Sequence, residues 1–135
     1  MRFVDTNILL YSVGSNPAEA AKRSCAIALL RSADLALSVQ VLQEFYVQAI
    51  RRTRPDRISH ALASGFIERW MRFPIQPMTV TILTTALDIK ARNGFSYWDS
   101  AIVAAASALG CHTLLTEDLS HGQIVEGVHI LNPFL

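Results

Sequence analysis

Four acidic residues carry the chemical interest of this chain: Asp5, Glu44, Asp99 and Asp118. Carboxylates gathered at one place repel, which raises their proton affinity unless a cation neutralises them. Hard divalent ions such as magnesium take carboxylate oxygens and water, and are usually held by a few carboxylates with the rest of the shell left wet. A metal bound in this open way lowers the pKa of a coordinated water and stabilises charge on a phosphoryl oxygen. That is the logic of metal-assisted phosphodiester hydrolysis.

Each acid also has a bland reading. Glu44 sits among Val39, Val41, Leu42, Phe45, Tyr46 and Val47, where an ionised carboxylate needs a partner. Arg51 and Arg52 are near enough in sequence to provide one. Asp99 follows Ser96 by three residues, the spacing of a helix capping box. Asp5 and Asp118 also suit turn or cap roles, the default for Asp near Thr, Asn or Ser. The acids gain weight only if the fold brings them together.

The elements that must do so alternate between strand and helix. Arg2 to Asp5 reads as a short strand running into a helical turn at Thr6 to Val13. Asn16-Pro17-Ala18-Glu19 has the form of a helix start, with a capping Asn and Pro at the first position. The helix it opens should bury Ala20, Ala21, Cys25, Ala28 and Leu29 and end near Ser32. A strand at Leu35 to Leu37 follows, and then a helix capped by Ser38 that buries Leu42, Phe45, Tyr46, Ala49 and Ile50.

Pro55-Asp56 is expected to open the next helix, with Ile58, Leu62, Phe66 and Trp70 near one face. A strand at Ile75 to Met78 precedes a helix capped by Thr79 or Thr81 and closed by Asn93-Gly94. Ser96 caps an Ala-rich helix ending at Gly110. Thr113 to Thr116 and Val128 to Leu131 are the last two strands. Short strands separated by helices call for a mostly parallel sheet of about five strands, covered on both faces. In such sheets ligands bind at the carboxyl ends of strands, where strand order reverses. Asp5 and Asp118 follow strands, and Glu44 and Asp99 lie early in helices.

Bulk properties narrow the function classes. The 135 residues fit a single domain over 1–135. Hydrophobic residues make up 51% and charged ones 17%, below the usual charged share of about 25%. A formal net charge of +1 provides no global field that selects nucleic acid or membrane. Cys25 and Cys111 form no disulfide framework, and no Cys or His spacing suggests zinc. The longest apolar stretch, Ala101 to Cys111, is about half a membrane span. A cytoplasmic, soluble protein with no membrane partner is expected.

Four segments, in order and at suitable spacing, closely resemble the PIN domain, and within it the VapC-type toxins of bacterial toxin–antitoxin pairs. They are Phe3-Val4-Asp5-Thr6-Asn7-Ile8-Leu9, Leu42-Gln43-Glu44-Phe45-Tyr46, Ser96-Tyr97-Trp98-Asp99-Ser100-Ala101-Ile102 and Leu115-Thr116-Glu117-Asp118-Leu119. The tail Val128 to Phe134 also looks like theirs. The resemblance implies a three-layer α/β/α sandwich and magnesium- or manganese-dependent cleavage of RNA. It also implies a cognate antitoxin and homodimers. By position, Asp5 and Asp99 would be direct metal ligands, Glu44 and Asp118 would act directly or through water, and Thr6, Asn7 and Thr116 would support them. The family pattern places the acid two after the threonine, at Asp118, which leaves Glu117 to solvent or a surface ion pair.

Arg51, Arg52 and Arg54 belong to the densest positive run. They suit RNA phosphates or an antitoxin, or simply complement a helix C-terminus. Trp98, beside Asp99, is the aromatic best placed to stack on a base, and His121 lies close enough to Asp118 to line the crevice. The competing function class is a catalytically silent PIN-like module that binds RNA or protein. A haloacid-dehalogenase-like phosphatase would need an aspartate where Asn7 stands. A phosphoacceptor receiver would need a lysine later than Lys90.

Overall fold

The computed structural model describes residues 1–135. Six short strands form one sheet: β1 (Arg2–Val4), β2 (Leu35–Ser38), β3 (Ile75–Gln76), β4 (Thr113–Leu115), β5 (Ile124–Val125) and β6 (Val128–Leu131), in the order β3-β2-β1-β4-β6-β5. All neighbouring strands are parallel except β5 and β6. Phe3, Val4, Leu35, Ala36, Leu37, Leu114 and Leu115 are buried whichever face they point to, as a sheet covered on both sides by helices requires. The result is the expected α/β/α arrangement.

The chain leaves β1, builds β2 and β3 on one side, and returns to place β4 on the other side of β1. Strand order therefore reverses between β1 and β4, which opens the crevice where such sheets bind ligands. The Asp5 amide donates to the Leu115 carbonyl at 3.0 Å, so the ends of the two strands are fixed together at that crevice.

Six helices complete the fold: α1 (Thr6–Val13), α2 (Ala20–Leu30), α3 (Val39–Ala49), α4 (His60–Trp70), α5 (Val80–Asn93) and α6 (Tyr97–Ala108). Side-chain caps set where most of them begin. Ser38, Ser59, Thr79 and Ser96 each accept from the amide three residues on, satisfying donors that the first helical turn leaves free. Gly94, at φ 73°, ends α5 in the left-handed conformation that glycine adopts without strain.

Three expectations need correction. A sixth strand exists: β5 pairs with β6 in a hairpin whose turn residues, Glu126 and Gly127, both have positive φ. Such turns match the twist of the strands they join, but β5 is only two residues long and has no pattern to read. Secondly, α4 starts at His60 and not at Pro55-Asp56. The Asp56 carboxylate is taken by the Ser15 amide at 3.0 Å and by Arg54, so residues 51–58 form a series of turns. Leu62 consequently faces solvent while Ala63 and Trp70 are buried. Thirdly, the buried residues of α2 are Ala26 and Leu30, with Ala20, Ala21 and Ala28 exposed. Alanines sit on either face of a helix, and a 3-10 turn at Pro17–Glu19 shifts its phase.

Candidate active site

Asp5 caps α1: one carboxylate oxygen accepts from the Thr6 amide at 2.7 Å. The other accepts from the Thr116 hydroxyl at 2.8 Å. Thr116 follows β4 and is fully buried. Its hydroxyl also accepts from Asn7 Nδ2 at 3.2 Å and from the Asp118 amide at 3.1 Å. One hydroxyl thus uses its donor and both acceptor directions to tie the ends of β1 and β4 together. Asn7 Nδ2 donates in addition to Asp118 Oδ2 at 3.1 Å, which fixes that exposed carboxylate over the crevice.

Glu44 enters from α3. Its two oxygens accept from the Thr6 hydroxyl at 2.8 Å and from Gln40 Nε2 at 3.1 Å. It makes no ion pair with Arg51 or Arg52. Asp99 enters from the first turn of α6, where its amide donates to Ser96 Oγ at 3.1 Å. The Asp99 carboxylate does not close the capping box on the Ser96 amide, and it lines the crevice instead. All four acids line a single cavity of about 760 Å³, together with Thr6, Asn7 and Trp98.

The electrostatics of this cavity are one-sided. None of Asp5, Glu44, Asp99 or Asp118 has a salt-bridge partner. Burial pushes the Asp5 carboxyl up to about 7, against the hydrogen bonds from Thr116 and Thr6, and the charges of Asp118 and Glu44 add to the rise. Asp99 is raised too, first by burial and then by the charges of Asp118 and Glu44. Shifts of this kind mark carboxylates placed near one another without a counter-charge.

This donor set fits a divalent cation of the hard, oxygen-seeking kind. The carboxylates lack a cation, and Asn7 Oδ1 is a buried oxygen with no hydrogen-bond partner. No three acidic side chains stand close enough to cage an ion alone. An ion bound here therefore keeps much of its water, as magnesium usually does.

Glu117 lines the same cavity but, unlike the four acids, is paired: its carboxylate accepts from Tyr11 Oη and from Lys22 Nζ at 2.9 Å. The Lys22 ammonium also lies 4.9 Å from the centre of the Tyr11 ring, and Tyr11 meets Phe134 edge-on. Arg54 is on the cavity wall, paired with Asp56 at 3.0 Å. Arg51 lines a neighbouring groove, and Arg52 is exposed beside neither space. His121 does not line the cavity; its Nδ1 accepts from the Asn132 amide at 3.0 Å.

Sequence reasoning missed Gln40. It is 3% exposed and donates to both Glu44 and the Trp98 carbonyl, the latter at 3.1 Å. It thereby joins α3 to the start of α6. The signal was present: Gln40, Glu44 and Gln48 recur every four residues on one helix face.

The PIN domain family model matches residues 2–125, and the chain belongs to that family. Several solved structures share the fold. VapC20 of Mycobacterium tuberculosis, described as a sarcin–ricin-loop-cleaving toxin, superposes with a TM-score of 0.69 at 20% identity over 87% of this chain and 92% of its own. A toxin–antitoxin complex from Klebsiella pneumoniae gives 0.73 at 18% identity over 98% of each chain. FitAcB from Neisseria gonorrhoeae gives 0.66 at 19% identity over 99% of each. No functionally curated protein matches the sequence.

Proposed function

We propose that this PIN-domain protein is a divalent-metal-dependent endoribonuclease, the toxin of a toxin–antitoxin pair, acting as one nuclease unit over residues 1–135. The observation that carries the reading is the set of four acids, drawn from distant parts of the chain, that line one cavity with no basic partner. Asp5 and Asp99 would hold magnesium, or manganese in its place, with Glu44 and Asp118 contributing directly or through water. The bound ion supplies Lewis-acid stabilisation of the phosphoryl oxygens and lowers the pKa of water.

The chain's own residues do the positioning. Glu44, oriented by Thr6 and Gln40, directs the attacking water and takes up its proton. Thr116 and Asn7 hold Asp5 and Asp118 in register across the crevice. Arg54, which lines the cavity paired with Asp56, would be available to a phosphodiester running through it.

The structural likeness to the toxin–antitoxin complex from Klebsiella pneumoniae supports a cognate antitoxin as protein partner. A homodimer is part of the same reading. Val80, Leu83 and Leu87 give α5 an exposed apolar stripe that self-association would cover. No helix is long and apolar enough to cross a membrane, and we place the protein in the cytoplasm with its RNA substrate.

A second reading, a catalytically silent PIN module, draws on the absence of a compact three-acid cluster. The two separate in a cleavage assay on a mixed RNA pool, using antitoxin-free protein with magnesium, with manganese and with chelator. The nuclease reading expects cutting that needs metal and disappears in Asp5→Asn and Asp99→Asn. Well-folded protein that cuts nothing would favour the silent module.

A further inference from the structure

Beside the acidic cavity lies a second space of about 360 Å³, lined by Gln40, Gln43, Glu44, Val47, Gln48, Arg51 and Trp98. Glu44, Gln48 and Trp98 line both spaces, so the two are neighbours. Resting on the nuclease reading above, we propose that this groove is a nucleobase subsite. In it Trp98 stacks one unpaired base next to the scissile phosphate, and Arg51 meets the phosphate beyond it.

The chemistry of the lining favours a nucleotide. Trp98 is 60% exposed and Val47 54%, an uncommon display of a large ring and a branched aliphatic side chain on neighbouring elements. An aromatic face accepts any base, and stacking supplies about 1–3 kcal/mol per base in single-strand binders. Gln43 and Gln48 are exposed amides able to meet a base edge with both donors and acceptors. Arg51 is exposed and has no ion pair, so it presents a free cation to a phosphate.

The groove is also held ready. The Trp98 carbonyl accepts from Gln40, whose side chain is buried between α3 and α6. The indole lies against the Tyr97 ring, with centroids 5.0 Å apart. The backbone carrying the stacking ring is therefore fixed to the same helix that carries Glu44. A base seated on Trp98 would set the register of the adjoining phosphodiester against the acids, which makes Trp98 and Arg51 determinants of where the strand is cut. The groove suits an unpaired base better than a duplex, because only an unstacked base offers its face.

The test is binding of short unstructured oligoadenylate and oligouridylate in the Asp5→Asn background, which leaves the RNA whole. Intrinsic fluorescence is informative because the other tryptophan, Trp70, is only 4% exposed. RNA should quench tryptophan emission in this background and not when Trp98→Phe is added. Trp98→Ala should weaken binding about tenfold, within the range that stacking on one base provides, while Trp98→Phe keeps most of the affinity. Arg51→Ala should reduce the salt dependence by about the 0.7 expected for one single-strand phosphate contact. RNA that binds Trp98→Ala unchanged and without quenching in the parent would overturn the subsite. That outcome leaves the nuclease standing and gives the groove to a protein partner. If the Asp5→Asn protein binds no RNA and the wild type cuts none, the subsite falls together with the nuclease reading.

Discussion

The Thr6 hydroxyl donates to the Glu44 carboxylate across 2.8 Å, joining residues 38 apart in sequence. Thr6 also gives its amide to Asp5, so one residue orients two of the four acids. Thr6→Val keeps the shape and removes the hydroxyl. It should cost about 1.5–3 kcal/mol, the usual loss for a hydrogen bond to a charged group. Manganese affinity should fall by roughly tenfold, as for other residues that orient metal ligands. Thr6→Ser should restore both. Chemical denaturation and calorimetric titration of the metal measure the two effects.

Gln40 makes a related link between helices, from α3 to the Trp98 carbonyl and to Glu44. Gln40→Met removes both donors at nearly constant volume. Loss of two partly buried hydrogen bonds predicts a destabilisation of about 1–3 kcal/mol, with cleavage reduced because both Glu44 and the start of α6 lose their support. Thermal unfolding and single-turnover cleavage of the same preparation check the pair of effects.

Stability without metal should fall as pH rises. The Asp5 carboxyl is held at about 7 in the folded chain against an ordinary 3.8, so the folded state binds the proton more tightly than the unfolded state. Linkage then gives full stability below about pH 4 from this group. The contribution is lost progressively up to about pH 7, for a total on the order of a few kcal/mol. Asp99 acts with the same sign. Asp34 and Asp56, held low mainly by Arg2 and by the Ser15 amide, act oppositely, so the comparison needs a variant. In chelator, Asp5→Asn should melt at a higher temperature than wild type at pH 8, and the gap should shrink toward pH 5. Thermal melts of both proteins across that interval measure it.

The adjacent acids Glu117 and Asp118 should separate cleanly. Glu117→Gln weakens a partly exposed pair with Lys22 and should cost no more than about 1 kcal/mol of stability, with cleavage near the wild-type rate. Asp118→Asn leaves the fold intact and should lower cleavage by about tenfold or more, as loss of a metal-supporting carboxylate does. Rates measured at one magnesium concentration distinguish the two. Equal losses would mean that the site has been assigned to the wrong neighbour.

The legible parts of this fold were those written in local chemistry. Ser38, Thr79 and Ser96 cap the helices they were expected to cap, because a hydroxyl three residues ahead of a free amide is a local signal. The acids following β1 and β4 could be paired because parallel sheets put ligands at strand ends. What escaped depended on partners distant in sequence. Asp56 looked like a helix start, but the Ser15 amide, 41 residues away, claims its carboxylate. The burial of Ala26 in place of Ala28 is decided by packing that small side chains do not encode. Tyr11, Lys22 and Phe134 gather around Glu117 only once the tail has been folded back.

The most direct test of the central claim, that the four acids form one divalent-metal site, is calorimetric titration of manganese into the 135-residue chain. Wild type, Asp5→Asn, Asp99→Asn and Glu117→Gln would be compared at pH 6 in buffers of different ionisation enthalpy. Saturable binding is expected for wild type and Glu117→Gln, with release of protons because Asp5 is largely protonated at that pH when no metal is bound. Binding should be lost or strongly weakened in Asp5→Asn and Asp99→Asn. Equal binding by all four proteins, or none by folded wild type, would contradict a metal site built from these acids.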